Sequence, residues 1–167
     1  MSSSKYLPPL VCGFAAAVLL IVPGIKNIGF CLVVPAASVV CLFLNKKINK
    51  QNSEILTRDA FFFGIFTGVF SALFLTGFDI MLTSISKTND LVETLPFTRS
   101  MLNDMNLGPI MNNAIVMMEQ MVNDIQTKGF SLLYSFMMLI SNLIINTIFG
   151  MIGGLAGMSY LNKKLNQ

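Results

Sequence analysis

The chain has 167 residues, of which 54% are hydrophobic and 11% are charged, with a formal net charge of +3 and no histidine. Soluble domains carry about 25% charged residues, so this composition excludes an ordinary soluble domain, whose surface needs a polar cover. The small net charge and the lack of a run of basic residues exclude a nucleic-acid partner. The lack of histidine removes the most common metal ligand and general base, and the sequence predicts no catalytic residue, no metal site and no cofactor.

Long runs without a charged residue predict transmembrane helices. A helix needs about 20 apolar residues to cross the ~30 Å hydrocarbon core of a bilayer, and four uncharged runs are long enough. Their hydrophobicity is continuous and does not alternate, which favours helices over the strands of a barrel. The predicted helices span residues 7–22, 28–44, 60–82 and 130–160.

The first two predicted helices form an antiparallel hairpin. Pro23 and Gly24 end the first helix, because proline lacks a backbone donor and glycine permits a turn. We interpret this helix as an uncleaved span rather than a signal peptide, since its hydrophobicity continues to Ile25. Pro35 lies in the middle of the second helix and is expected to kink it.

Residues 83–128 form the only sizeable hydrophilic segment, which we expect to lie outside the membrane. An amphipathic helix is predicted over residues 109–127, because apolar residues recur there at intervals of three and four and Gly129 follows. The residues before Pro96 indicate another helix only weakly. Helices on a membrane surface usually carry Lys or Arg on the polar face. This polar face is acidic, so a cap on the protein is the favoured position.

The fold class that follows is an all-α membrane protein, with four transmembrane helices and one amphipathic extramembrane helix between the third and the fourth. We predict that residues 1–167 form a single membrane domain. With four spans both termini share a side, and that side carries seven basic residues against four on the other. Basic residues near the ends of spans stay in the cytoplasm. Both termini are therefore predicted to be cytoplasmic, in a bacterial inner membrane, with Asp79 near the outer interface, where an acid costs little.

Small residues form a stripe on each of the last two predicted spans. Such stripes let backbones approach closely in lipid, where no hydrophobic force joins helices. On the third span, a repeat of phenylalanines from Phe66 to Phe78 lies on the other side and is expected to face lipid. Packing within one bundle is the main interpretation, and a seam between two chains is the alternative. The predicted packing residues are Gly64, Gly68, Ala72, Asn142, Asn146, Gly150, Gly154 and Gly157.

Polar and sulfur-containing side chains inside the apolar runs receive structural interpretations. Asn142 and Asn146 are one helical turn apart and are interpreted as interhelical hydrogen-bonding residues, with a solute path as the alternative. Cys12, Cys31 and Cys41 are interpreted as small hydrophobic residues rather than a disulfide framework, because their number is odd.

Three stretches and the order of the elements carry a resemblance. Residues 59–64 (Asp-Ala-Phe-Phe-Phe-Gly) open the third predicted span, and the fourth contains the glycines of 150–157 followed by Leu-Asn-Lys-Lys at 161–164. Here the chain resembles a bacterial domain-of-unknown-function family of small four-helix integral membrane proteins. In that family a helical hairpin precedes a polar connector, a glycine-rich third helix, a hydrophilic helical segment and a fourth helix. The resemblance implies no activity, cofactor or catalytic residue.

These observations predict a non-enzymatic integral membrane protein, an accessory subunit or assembly module that acts through helix packing. Its expected partners are the lipid bilayer and either further copies of itself or a larger membrane complex. The alternative from another class is a small oligomeric transporter or channel. A weak likeness between the first and third predicted helices is compatible with the internal repeats that transporters contain.

Overall fold

The computed structural model describes residues 5–22, 24, 26–48, 54–104 and 109–165. Within these residues the protein is all-helical, with six α-helices and no strand. The helices are α1 (Leu7–Ile21), α2 (Lys26–Ile48), α3 (Thr57–Ser86), α4 (Asp90–Asp104), α5 (Pro109–Lys128) and α6 (Leu132–Leu165).

Three of these helices, α2, α3 and α6, are long and apolar enough to cross a membrane. The prediction of an all-helical fold with long apolar helices is therefore confirmed. Helix α1 is also apolar, but its 15 residues measure about 22 Å at 1.5 Å per residue. It is shorter than the ~30 Å hydrocarbon core, so length and composition alone do not make it a span.

Helices α3 and α6 extend beyond their predicted ends at 60–82 and 130–160. They contain 30 and 34 residues, which is about 45 Å and 51 Å at 1.5 Å per residue, longer than a bilayer core requires. Charged and polar residues set the predicted limits, yet these residues continue a helix readily. Helix α2 likewise runs through Pro35 to Ile48, whereas its predicted end was residue 44.

Helix α4 begins where the sequence indicated a helix only weakly, before Pro96, and it extends beyond that proline to Asp104. Its start has a clear local cause, because the Asn89 side chain accepts a hydrogen bond from the backbone N–H of Val92 at 3.0 Å, as an N-cap does. Asp90 and Glu93 lie in the first turn, where negative charge stabilises a helix. Pro96 was expected to end any helix here, but it lies within α4.

The chain divides into two compact units. Unit 1 takes its residues from Met1–Gly77 and Leu139–Gln167, and unit 2 from Phe78–Met138. Unit 1 therefore contains α1, α2, the first part of α3 and most of α6. Unit 2 contains α4, α5, the last part of α3 and the start of α6.

In unit 1, ring contacts show that α1 runs parallel to α3. The Tyr6 ring lies 5.3 Å from that of Phe66, and the Phe14 ring lies 5.2 Å from that of Phe74. Residues further along α1 thus meet residues further along α3. Buried Ala16, Ala17 and Leu20 continue the packed side of α1.

The contacts of α6 in unit 1 show its direction relative to α3 and α2. Helix α6 runs antiparallel to α3, because Gly150 lies against Gly64 while the earlier Asn146 lies against Gly68. The same helix runs parallel to α2, where its Gly153 and Gly157 meet Pro35 and Val39 in the same order.

The ends of two helices in unit 1 are joined by an amide clasp. The backbone N–H of Ile55 donates to Asn162 Oδ1 at 2.9 Å, and Asn162 Nδ2 donates to the Ile55 carbonyl at 3.0 Å. The clasp secures the chain just before α3 to the end of α6. Beside it lies the hydrophobic core of the unit, which comprises Cys12, Cys41, Leu42, Ala60, Phe63 and Leu161.

In unit 2, α5 spans Pro109–Lys128, where the sequence predicted a helix over residues 109–127. Ile115, Met121 and Ile125 are buried, whereas Asn113 and Asn123 are exposed. The three buried residues are six and four positions apart, which places them within about a third of the helix circumference, on one face. Met111, which belongs to the predicted apolar face, lies outside the residues whose side chains the structure describes.

An ion pair and one glycine connect elements of unit 2. Arg99 of α4 forms an ion pair with Glu119 of α5 at 2.8 Å. Gly129 follows the last residue of α5 and has a positive φ of +75. A Cβ at this position would lie 2.9 Å from the carbonyl oxygen of Ser84. Glycine is required at this position, because both the left-handed backbone and the close approach exclude a side chain.

One prediction about burial needs correction in this unit. Asp79 was expected near an interface where an acid costs little, but only 8% of it is exposed. Sequence position placed it at the end of the predicted span, yet α3 continues for seven more residues to Ser86. The carboxyl group is thus enclosed by protein.

Candidate functional site

Direct backbone contact between α3 and α6 is the main feature of unit 1. A Cβ added to Gly64 would lie 2.5 Å from the carbonyl oxygen of Gly150, well inside van der Waals contact. Likewise, a Cβ on Gly68 would collide with the carbonyl oxygen of Asn146, and one on Gly154 with that of Ala60. Only glycine lets these two backbones approach so closely.

Of the predicted packing residues, five lie together at this contact: Gly64, Gly68, Asn146, Gly150 and Gly154. Ala72 is fully buried further along α3. Gly157 lies elsewhere, because a Cβ there would be 3.1 Å from Val39 of α2. The small residues of α6 therefore contact two neighbouring helices, α3 and α2. This is possible because they are spread around the helix circumference.

The two asparagines of α6 differ in their surroundings. Asn142 Nδ2 donates a hydrogen bond to Thr76 Oγ1 of α3 at 2.9 Å, so it forms the interhelical bond that was predicted for it. Asn146 is 1% exposed and lies beside Gly68. Its Oδ1 atom has no hydrogen-bond partner within the described part of the chain.

Two further close approaches were not among the predicted packing residues. A Cβ on Gly153 would collide with the backbone of Pro35, which joins α6 to α2. A Cβ on Gly13 would lie 2.7 Å from the Cβ of Phe70 and 2.9 Å from the carbonyl oxygen of Thr67, which joins α1 to α3. The signal for Gly13 was present in the small residues Ala16 and Ala17 that follow it at helical spacing.

The phenylalanine repeat, which was expected to face lipid, is partly covered by α1. Phe66 and Phe74 contact the rings of Tyr6 and Phe14, and Phe70 lies against Gly13. Helix α1 therefore covers part of this side of α3, which leaves the rings half-buried. A hydrophobicity pattern cannot separate lipid from an apolar helix, since both favour phenylalanine equally.

A pair of buried thiols lies within the core of unit 1. Cys12 of α1 and Cys41 of α2 belong to the same cluster of buried residues. The exposed fractions of Cys12 and Cys41 are 4% and 0%, whereas Cys31 is exposed. The three thiols are free.

A small cavity of about 140 Å³ lies at the end of unit 1 that contains the clasp. Its lining mixes charged and apolar side chains from α2, α3 and the chain between them. Leu42 and Phe63 belong both to this lining and to the hydrophobic core. The other lining residues are Asn45, Lys46, Glu54, Ile55, Leu56 and Asp59.

Comparisons of the chain with protein-family models, with curated proteins and with solved structures find no match. The resemblance to a bacterial four-helix membrane family therefore remains an expectation from the order of elements. Functional inference rests on the chain's own geometry.

Proposed function

We propose that this protein is a non-enzymatic integral membrane protein, an accessory subunit or assembly module that acts through helix packing. The observation that carries the proposal is the direct contact of the α3 and α6 backbones at Gly64, Gly68, Gly150 and Gly154. Backbones in contact leave no space for a substrate between these helices. Their glycines serve instead to build a rigid helical unit in lipid, whose outer surface can meet a partner.

We include α1 as a fourth transmembrane helix in this proposal. It lies alongside α3 from Phe66 to Phe74, in the middle of a helix long enough to cross a membrane. The part of α3 in unit 1, residues 57–77, is about 31 Å long at 1.5 Å per residue and so matches the hydrocarbon core. The shortness of α1 is tolerable, because mismatch costs only fractions of a kcal/mol per Å.

The proposed orientation places both termini in the cytoplasm of a bacterium and α5 outside its inner membrane. The asymmetry of basic residues supports this assignment. The substitutions Asn49→Cys and Asn113→Cys, each introduced alone into a chain that lacks the three native cysteines, test this orientation in intact cells. A membrane-impermeant maleimide is expected to label the cysteine at position 113 and not the one at 49. The opposite labelling pattern contradicts the orientation.

Mass measurement tests the assembly role. The full chain, extracted from its own membrane in mild detergent, is expected to have a mass larger than one protomer, with fixed stoichiometry. Ile148→Ala is compared with the parent chain in the same measurement. Ile148 is 46% exposed on α6 and contributes little to the stability of one chain, so a change in mass would report on contacts between chains. A single protomer as the only species in native membranes contradicts the proposal.

The second candidate function is a small oligomeric transporter or channel. Two buried polar atoms support this candidate. Ser71 Oγ and Asn146 Oδ1 are buried without a hydrogen-bond partner in the described residues. An unsatisfied buried polar atom is costly, and water or a solute would satisfy it. Conductance of K⁺ and Cl⁻ in planar bilayers that contain the purified chain would favour this candidate, provided that Asn146→Leu abolishes the current.

A further inference from the structure

A cleft of about 490 Å³ in unit 2 is lined by residues of α5 and of the first turns of α6. Helix α5 contributes the polar side chains of Gln120 and Asp124, and α6 contributes Leu132, Leu133 and Phe136. We propose that this cleft binds a phospholipid with a primary-amine headgroup, phosphatidylethanolamine. The inference rests on the membrane location in the proposed function and does not depend on the assembly role.

The α6 side of the cleft is apolar and exposed. Leu132 and Phe136 are 74% and 58% exposed, and they share a helix face because they are one turn apart. Helix α6 is long and apolar enough to cross a membrane, and the proposed function places residues 130–160 in the bilayer. A water-filled cleft would leave both side chains hydrated, at the cost of the hydrophobic effect. An acyl chain against α6 would cover them.

The α5 side of the cleft carries a pair of opposite charges. Lys128 Nζ lies 2.7 Å from Asp124 Oδ1, and the two side chains are 72% and 37% exposed. Since Asp124 lines the cleft, this ion pair places Lys128 beside it. A zwitterionic headgroup carries the same two charges, so its ammonium group would bind Asp124 and its phosphate group would bind Lys128. The charges of the headgroup and of the protein therefore complement each other.

The kind of headgroup follows from the donors and acceptors at the cleft. A primary ammonium group has three N–H donors, which a carboxylate accepts in strong charge-assisted hydrogen bonds. The methylated ammonium group of phosphatidylcholine has no N–H to donate. The glycerol headgroup of phosphatidylglycerol supplies no positive charge for Asp124, while its phosphate repels that carboxylate. Gln120, one turn before Asp124, adds a neutral acceptor on the same side.

Native mass spectrometry of the full-length protein in mild detergent tests the proposal. Synthetic phosphatidylethanolamine, phosphatidylcholine and phosphatidylglycerol with identical acyl chains are titrated in turn, so that only the headgroup differs. We expect one phosphatidylethanolamine per chain, bound about tenfold more tightly than the other two lipids, because only its ammonium group donates to Asp124. The ratio is counted per chain, so it does not depend on how many chains assemble.

Asp124→Asn removes the carboxylate charge at nearly constant size. We expect it to weaken phosphatidylethanolamine binding about tenfold and to leave phosphatidylcholine binding unchanged. Glu93→Gln is the matched control, because Glu93 is an exposed acid of unit 2 on α4 and does not line the cleft. It should bind all three lipids like the parent chain. Phe136→Ala should weaken the three lipids by similar factors, since it acts on the acyl chain. Circular dichroism establishes that each variant is helical.

Several results would overturn the inference. Equal affinity of the parent chain for the three lipids would do so, and so would a preference for phosphatidylethanolamine that survives Asp124→Asn. An equal loss in Glu93→Gln would also overturn it, because net charge would then be the cause. In these cases the membrane location stands, whereas a chain that binds none of the lipids contradicts both proposals. A mass of one protomer with the preference retained contradicts the assembly role alone.

Discussion

Helix α3 meets its neighbours in unit 1 through two different surfaces. Towards α6 it presents Gly64 and Gly68, whose backbones touch the partner helix directly. Towards α1 it presents Phe66 and Phe74, whose rings contact those of Tyr6 and Phe14 at 5.3 Å and 5.2 Å. The first surface relies on the absence of side chains, and the second on their size.

The difference shows how one helix can form two specific contacts by two different physical means. Glycines gain dispersion energy because many backbone atoms come within contact distance. Aromatic rings gain it through edge-to-face contact. The glycine contact tolerates no added atom, whereas a ring contact can lose atoms gradually, so substitutions should affect the two surfaces very differently.

Gly68→Ala should have the largest effect, because its new Cβ would collide with the carbonyl oxygen of Asn146. We expect a loss of about 3 kcal/mol in the free energy of unfolding, at the upper end for overpacking. Gly77→Ala is the control on the same helix, since no atom lies within 4 Å of its added Cβ. It should stabilise α3 by about 0.5–1 kcal/mol. Equilibrium unfolding of both variants in one detergent measures the difference, and equal effects would contradict the backbone contact.

Gly13→Ala tests whether the contact between α1 and α3 also includes a position that tolerates no added atom. Its Cβ would lie 2.7 Å from the Cβ of Phe70 and 2.9 Å from the carbonyl oxygen of Thr67. Because these approaches are less close than that of Gly68 to Asn146, we expect a smaller loss, about 2 kcal/mol. The same unfolding measurement checks it. A loss as large as that of Gly68→Ala would mean that α1 and α6 are held to α3 equally closely.

Phe74→Leu should cost about 1 kcal/mol, the usual value of an aromatic pair beyond its buried area. The lost contact is the one with Phe14. Phe43→Leu provides the comparison, since Phe43 is 52% exposed on α2 and the change should be nearly neutral. If the two variants have the same unfolding curve, the contact of Phe74 with Phe14 does not stabilise the fold, and the phenylalanine repeat would be purely lipid-facing.

Asn142→Leu should have the smallest effect, because a hydrogen bond between membrane helices contributes only about 0.6 kcal/mol. The bond in question joins Asn142 Nδ2 to Thr76 Oγ1 at 2.9 Å. A double-mutant cycle with Thr76→Val isolates this contribution. A coupling free energy near zero would show that the two side chains bond elsewhere in lipid.

Periodicity determined most of the helical architecture in advance. The helices α3, α5 and α6 appear where uncharged runs and the three-and-four spacing placed them. The amphipathic face of α5 was also predictable, because burial of Ile115 and Ile125 follows from a pattern internal to that helix. Helix α4 was indicated only weakly, although Asn89 with Asp90 and Glu93 is a recognisable helix start. Pro96 received too much weight as a helix terminator.

What each glycine contacts depended on the tertiary structure. The sequence identified Gly150, Gly154 and Gly157 as one stripe of small residues, but a stripe does not specify its neighbour. Only the packed bundle assigns Gly150 and Gly154 to α3 and Gly157 to α2. The reason is physical, since a small residue permits close approach by any helix, and the choice depends on which helices the fold brings near.

The cysteine pair shows the same division. Composition alone revealed three cysteines in apolar runs and determined that they would be surrounded by apolar atoms. The hairpin of α1 and α2 then brought Cys12 and Cys41 into one buried cluster, while Cys31 remained exposed on the same helix as Cys41. Hydropathy is a property of each residue and its near neighbours in sequence. Which thiols share a buried cluster is decided by helix rotation and depth, which only long-range packing determines.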